Sequence, residues 1–187
     1  MLHKLALRAG SFICLLCFIG LTAQLPATSQ NRKPPASDTE IVSEKGRFRV
    51  TFPAKPTEED ENYGPAGMYG FSLREGDTKW SAHYIDLPNP TTDEDKLREA
   101  YNSSVEAIVA SGSRLVRKGE IRLNGKLGIE FVTEKSGEVS FSRAFLIGRR
   151  LYTLGVRIKA RLKDGIVPTE VKKFFDSFDF WEASRAT

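Results

Sequence analysis

Between Gly119 and Lys159 the chain alternates apolar and polar residues through four runs, separated by three glycine-bearing turns. A period of two is the signature of β-strands, and turns this short join antiparallel neighbours. The block therefore predicts four consecutive antiparallel strands, and the rest of the chain must supply their cover. A second turn at Ser136-Gly137 sets Phe131 opposite Ser142, Val132 opposite Phe141 and Glu130 opposite Arg143. A third at Gly148-Arg149 sets Leu146 opposite Leu151 and Phe145 opposite Tyr152. One face then gathers Val132, Val139, Phe141, Phe145, Tyr152, Leu154, Val156 and Ile158. The other gathers Leu127, Ile129, Phe131, Ala144, Leu146 and Leu151. A sheet apolar on both faces has to be covered on both.

The first turn, at Asn124-Gly125, admits two registers. A two-residue turn sets Leu127 opposite Arg122 and Ile129 opposite Glu120. A three-residue loop over Leu123-Asn124-Gly125 sets Ile121 opposite Leu127 and Lys118 opposite Glu130. The second is preferred because it keeps apolar residues together. Glu130 and Arg143 then form a candidate structural ion pair on an apolar face, with Lys118 beside them.

Alternation also marks strands at Arg47–Phe52, Met68–Leu73 and Lys79–Leu87, while the acidic stretch AKPTEEDENYGPAG reads as a long loop. Thr91 or Thr92 caps a helix with an apolar stripe of Leu97, Tyr101, Val105 and Ile108, and Gly112 stops it. A second helix begins with Pro168 in its first turn and buries Val171, Phe174, Phe175 and Phe178; Phe178–Trp181 leaves it as a short strand. The expected fold is α+β: a three-layer α/β/α sandwich, its mostly antiparallel sheet of about six or seven strands flanked by two helices.

Lys4 and Arg8 precede an apolar run from about Ala9 to Leu21, with the small residue Ala23 after it. Residues 1–23 read as a signal peptide, 24–40 as a disordered linker, 41–181 as one domain and 182–187 as a frayed tail. The apolar run is shorter than the ~20 residues of a spanning helix, so no stable membrane span is expected after cleavage. Cleavage removes Cys14, Cys17 and His3, leaving His83 as the sole histidine, and takes the formal net charge from +4 to +2. An exported domain, periplasmic or secreted, would thus have no disulfide and no strong basic case for nucleic acid.

No glycine-rich phosphate loop, thiolate site or multi-histidine metal site is present, and no catalytic residue, cofactor or metal is assigned. His83 would be the only base for a serine triad and reads instead as a packed histidine. The acids Glu58 to Glu61 lack the alternating spacing of a calcium loop. Asn102-Ser103-Ser104 matches a glycosylation sequon by chance, inside a helix. Arg149, Arg150, Arg157, Lys159 and Arg161 make a possible anionic contact surface. An alternative function is an acid-only hydrolase or lyase using Glu130 with Asp86; another is a structural domain of a surface assembly.

Four segments carry a resemblance when taken together: GRFRVTFPAKP, IRLNGKLGIEF, RAFLIGRRLYTLGV and KKFFDSFDF. They resemble the PsbP-like and DcrB-like group of small exported proteins, which shares its fold with the Ran-binding nuclear-import factor Mog. The resemblance spans roughly Ile41 to Trp181. It implies an antiparallel sheet between helices and no catalytic residues, and no position here matches a binding residue of those proteins. The expected function is an exported, non-enzymatic accessory or binding module of the bacterial cell envelope, its partner an envelope protein or a small ligand.

Overall fold

A computed structural model describes residues 37–63, 66–88, 91–160 and 166–182. The expected signal peptide, most of the linker, Arg161 and the tail beyond Glu182 lie outside the described residues. In chain order the elements are β1 (Thr39–Ser43), β2 (Phe48–Phe52), β3 (Thr57–Tyr63), β4 (Ala66–Glu75), β5 (Thr78–Asp86) and α1 (Glu94–Ala110). Then follow β6 (Arg114–Leu123), β7 (Lys126–Lys135), β8 (Glu138–Ile147), β9 (Arg150–Ile158), α2 (Thr169–Asp176) and β10 (Asp179–Phe180). The strands form two antiparallel sheets: three strands in the order β1-β2-β10, and seven in the order β3-β4-β5-β9-β8-β7-β6. The fold is α+β, with two sheets where the sequence suggested one.

Two of the added strands come from stretches read otherwise. β1 starts at Thr39, inside the expected linker, and pairs along the whole of β2. β3 occupies the acidic stretch expected to be a loop and pairs with β4 from Thr57↔Ser72 to Tyr63↔Ala66. β3 is an edge strand, where charged side chains are tolerated and serve to discourage further pairing. Its acids therefore hide a strand from any reading based on apolar alternation.

The topology follows from α1. β3, β4 and β5 meander, α1 then carries the chain to the far edge, and β6 to β9 meander back until β9 pairs with β5. Asp93 caps α1, in place of Thr91 or Thr92: its Oδ1 accepts the N–H groups of Asp95 at 2.9 Å and Lys96 at 3.2 Å. Aspartate is the better cap and stands immediately before the first turn. At the other end Gly112 takes a φ of 94°, as a helix stop requires. Pro168 is the N-cap of α2 rather than a first-turn residue.

The second and third hairpins have the expected registers, Glu130↔Arg143 and Phe145↔Tyr152 among them. The first does not have the preferred one. Arg122 pairs with Leu127, Glu120 with Ile129 and Gly119 with Glu130. Asn124 (φ 50°) and Gly125 (φ 76°) make the two-residue turn whose twist suits a hairpin. The rejected register also satisfies more charge. It turns Lys118, Glu120 and Arg122 toward α1, where Lys118 donates to Asn102 (2.8 Å), Arg98 to Glu120 (2.9 Å) and Arg122 to Glu94 (2.8 Å). Ile121 and Leu123 turn the other way and pack on the larger core.

Lys118 is thus on the wrong face to reach Glu130. By ordinary alternation in the observed register Arg117, paired with Val132, lies on that face instead, just after a bulge between Leu115 and Arg117. Glu130 accepts from Arg117 at 2.6 Å and from Arg143 at 2.7 Å, and Arg143 also donates to Asp176 of α2 at 3.0 Å. The Arg143 guanidinium lies 4.9 Å from the centre of the Phe175 ring. Burial alone would raise the Asp176 carboxyl; its bonds to Lys172 and Arg143 outweigh that and hold it below the ordinary carboxylate value.

The larger core joins one face of the seven-stranded sheet to β2, β10 and α2. Phe48, Val50 and Phe52 of β2 are wholly buried. Phe48 meets the rings of Phe71, Tyr84, Tyr152 and Phe178 at centroid distances of 5.8–6.3 Å. The smaller core joins the opposite face to α1 through Leu97, Tyr101, Val105, Leu127, Ile129, Phe131 and Leu146. Tyr101 fixes the helix there: its hydroxyl donates to Leu127 O (3.3 Å) and accepts from Leu146 N–H (2.7 Å).

Arg143→Leu should lower stability in urea unfolding by about 2 kcal/mol, less than the ~3–5 kcal/mol of a fully buried broken pair because Arg117 remains. Adding Glu130→Leu should recover much of that loss. Lys118→Ala should change stability by less than about 0.5 kcal/mol. A loss from Lys118→Ala as large as that from Arg143→Leu would contradict the register.

Candidate functional site

α1 covers only part of its face of the large sheet. Beyond it, the same face is built from small and polar residues. One rung crosses five strands as Thr57, Ser72, Ser81, Gly155 and Ser142 before meeting the buried Phe131. The next rungs add Lys79, Arg157 and Ser140 on one side, and Gly70, His83 and Thr153 on the other. Side chains this short leave the sheet surface low. Two cavities of about 310 and 330 Å³ lie there, and they share Ser140, Ser142 and Arg157. Together they make one groove, running from Glu59 on the edge strand to Ile108 and Ser113 at the end of α1.

His83 and Glu59 form one wall. The imidazole Nε2 is 2.9 Å from Glu59 Oε2. Ser72 donates its hydroxyl to Glu59 Oε1, and Lys79 Nζ stands 3.8 Å from that oxygen. The contact spans β4, and Gly70 makes that possible: a Cβ there would come within 2.7 Å of His83 Cα. Burial works against the Glu59 charge, but Ser72, His83 and Lys79 together hold its carboxyl below the ordinary value. His83 itself is buried.

An imidazole, a carboxylate and nearby serines invite comparison with a hydrolase. Along the interior strands of the floor the backbone has no donor to spare. Acyl transfer needs free N–H donors aimed at a developing oxyanion. β5, β8 and β9 are interior strands with unbroken pairing on both sides, so their backbone donors serve the ladders. Ser81 donates to Gly155 O at 3.3 Å, and Ser72 is held by Glu59. The surface offers hydroxyls and one charged clasp for contact.

Of the residues singled out in the sequence, His83 and Arg157 line the groove, and the other candidates lie elsewhere. Glu130 and Arg143 are on the opposite face, with α2. Glu130 and Asp86 are separated by three strand spacings, roughly 14 Å, which exceeds the span of a glycosidase pair. Each is also held by arginine: Arg150 grips both Asp86 oxygens at 2.8 Å. The basic residues do not form one surface. Arg149 and Arg150 are at the β8–β9 turn, whereas Arg157 and Lys159 are at the other end of β9, about 23 Å along the strand. Arg157 pairs with Glu138 at 3.2 Å. In the acidic stretch Glu58 and Asp60 are exposed and Glu59 turns inward. Among the described residues no cluster of three or more His, Cys, Asp or Glu is placed to hold a metal. Glu59 was missed because its strand was read as a loop. The alternation of Lys79, Ser81 and His83 in β5 was the available signal for a polar half-face.

No protein-family model matches the chain, and no curated protein sequence matches it significantly. Among solved structures the chain is similar to the Ran-binding protein Mog1p of Saccharomyces cerevisiae, at 10% identity and a TM-score of 0.45, over 78% of this chain and 96% of that one. It is also similar to cyanobacterial PsbP from Synechocystis, at 16% identity and a TM-score of 0.59, over 83% of this chain and 99% of that one. The second likeness shows that this chain has the PsbP-like fold, as the four resembling segments suggested.

Proposed function

We propose that the protein is a non-enzymatic binding module that meets a protein partner along the groove of the half-covered sheet face. The observation that carries this reading is the row of short side chains across five strands, left without a covering layer. Charged and polar groups rim it, at Glu59, His83 and Lys79 on one side and Lys135, Glu138 and Arg157 on the other. In this reading the domain is a three-layer arrangement: α1, the large sheet, then α2 with the small sheet. The partial middle-to-outer cover exposes the recognition surface. The basic start, apolar run and Ala23 support export to the bacterial cell envelope as part of the same proposal.

A photo-crosslinking residue replacing Ser142, on the groove floor, should give a discrete adduct in the producing cell. The same residue replacing Ser103, exposed on α1, should give none. Equal labelling at both positions, or none at either, would overturn the reading.

The Glu59–His83 contact is then a structural clasp on the edge strand. Because the folded Glu59 carboxyl is held below its ordinary value of 4.5, its stabilising effect is present above that pH and is lost as pH falls through the lower folded value. Glu59→Gln should therefore be less stable than the parent at pH 7, with the gap closing at pH 3, in urea unfolding followed across pH. A gap that stays constant over that range would show that the Glu59 charge has no part in the clasp.

A further inference from the structure

A third cavity, of about 610 Å³, lies at one end of the large sheet. It is bounded by the β8–β9 turn, the end of β5, the turn before β2 and the chain just after β10. Among the described residues its charged lining is four cations, Arg47, Lys126, Arg149 and Arg150, and two carboxylates, Asp86 and Glu182. Two cations are neutralised. Arg150 holds Asp86 through both oxygens and also donates to Lys45 O and Gly46 O at 2.9 and 3.0 Å. Lys126 pairs with Glu182 at 2.8 Å. The Arg47 and Arg149 side chains have no hydrogen bond or ion pair with any described residue. The described residues of the lining therefore carry an excess of two positive charges.

The walls are fixed. Tyr152 donates its hydroxyl to Gly46 O at 3.0 Å, Trp181 N–H donates to Arg47 O at 3.1 Å, and Leu87 N–H donates to Arg149 O at 2.6 Å. Arg47 has a φ of 55°, a left-handed conformation that costs a residue with a Cβ about 1 kcal/mol and that glycine takes freely. An arginine held in that conformation, with no side-chain partner among the described residues, in the lining of a cavity is a strained position that invites a functional explanation. Asp86 feels the field: its carboxyl is held low by the Arg150 bond first, against burial, and then by the charges of Arg150, Arg149 and Arg47.

We propose that this cavity binds a small organic anion, its phosphate or carboxylate between Arg47 and Arg149 and its flat or apolar body against Trp181. The volume falls in the range of small-molecule sites, about 300–1,000 Å³, and a half-open cleft of this size admits such a ligand. Guanidinium is the side-chain cation best matched to phosphate and carboxylate oxygens. The site does not depend on the sheet-face groove or on what binds there.

The full chain titrated with phenyl phosphate, benzoate, inorganic phosphate and uncharged phenol, followed by tryptophan fluorescence and calorimetry, tests the proposal. Trp181 is partly exposed and reports on the cavity, whereas Trp80 is buried in the core. Phenyl phosphate or benzoate should bind saturably, and phenol should not. If phenyl phosphate alone binds, the ligand class is a phosphate; if benzoate alone binds, it is a carboxylate. Arg47→Gly suits the left-handed backbone and should fold, yet should weaken binding on the order of tenfold. Adding Arg149→Ala should abolish it. Absence of saturable binding for both aromatic anions, or binding unchanged in the double variant, would overturn the site. Inorganic phosphate binding as tightly as phenyl phosphate would overturn the role given to Trp181.

Discussion

One seven-stranded antiparallel sheet, apolar across one face and across only part of the other, sets the terms for every other element. Its fully apolar face has to be closed, and no single short helix could span it. β2 and α2 share the task, with Phe48 at the meeting point of four other rings. Burial of each such side chain contributes about 1.5–3 kcal/mol. The domain must rely on that core, since its described part contains no cysteine. The other face needs less cover, and one helix suffices because its apolar part is narrow.

Charge then determines how the cover is placed. α1 is tied to β6 by Arg98, Arg122 and Lys118, and α2 to β8 by the Asp176–Arg143 contact. Exposed pairs of this kind contribute little stability. What they supply is register: slipping β6 by one residue would turn its cations from α1 toward the apolar core. The Glu130 carboxylate, held by arginines from two strands, does the same for β6, β7 and β8 together.

How much of this was legible from the residues varied with how far each strand depends on apolar alternation. β7, β8 and β9 have glycine turns and clear alternation, and their pairing could be counted off the sequence to the residue. β6 misled because Ile121 was set opposite Leu127, whose partners are on α1 rather than β6. β3 and β1 were invisible, being edge strands made of acids and of short mixed residues. The groove inherits that blindness. Its floor is serine and glycine, residues that signal neither core nor chemistry, and only the topology brings Ser72, Ser81 and Ser142 into one row. The end cavity was half legible: Arg149 and Arg150 were noticed, but Arg47 is far away in sequence, and Arg157 and Lys159 belong to the opposite end of the strand.

On the proposed reading the open half-face is rigid sheet, exposed on top yet bound through its edges along the interior strands, and so a surface for contact rather than a loop awaiting order. Amide hydrogen exchange resolved to single residues tests this most directly. Amides of Ser81, Ser140, Ser142 and Gly155 should exchange as slowly as those of the covered strands, at Val132 and Phe141, in spite of having no layer above them. Exchange at these positions as fast as at the Gly76 and Gly137 turns would contradict it.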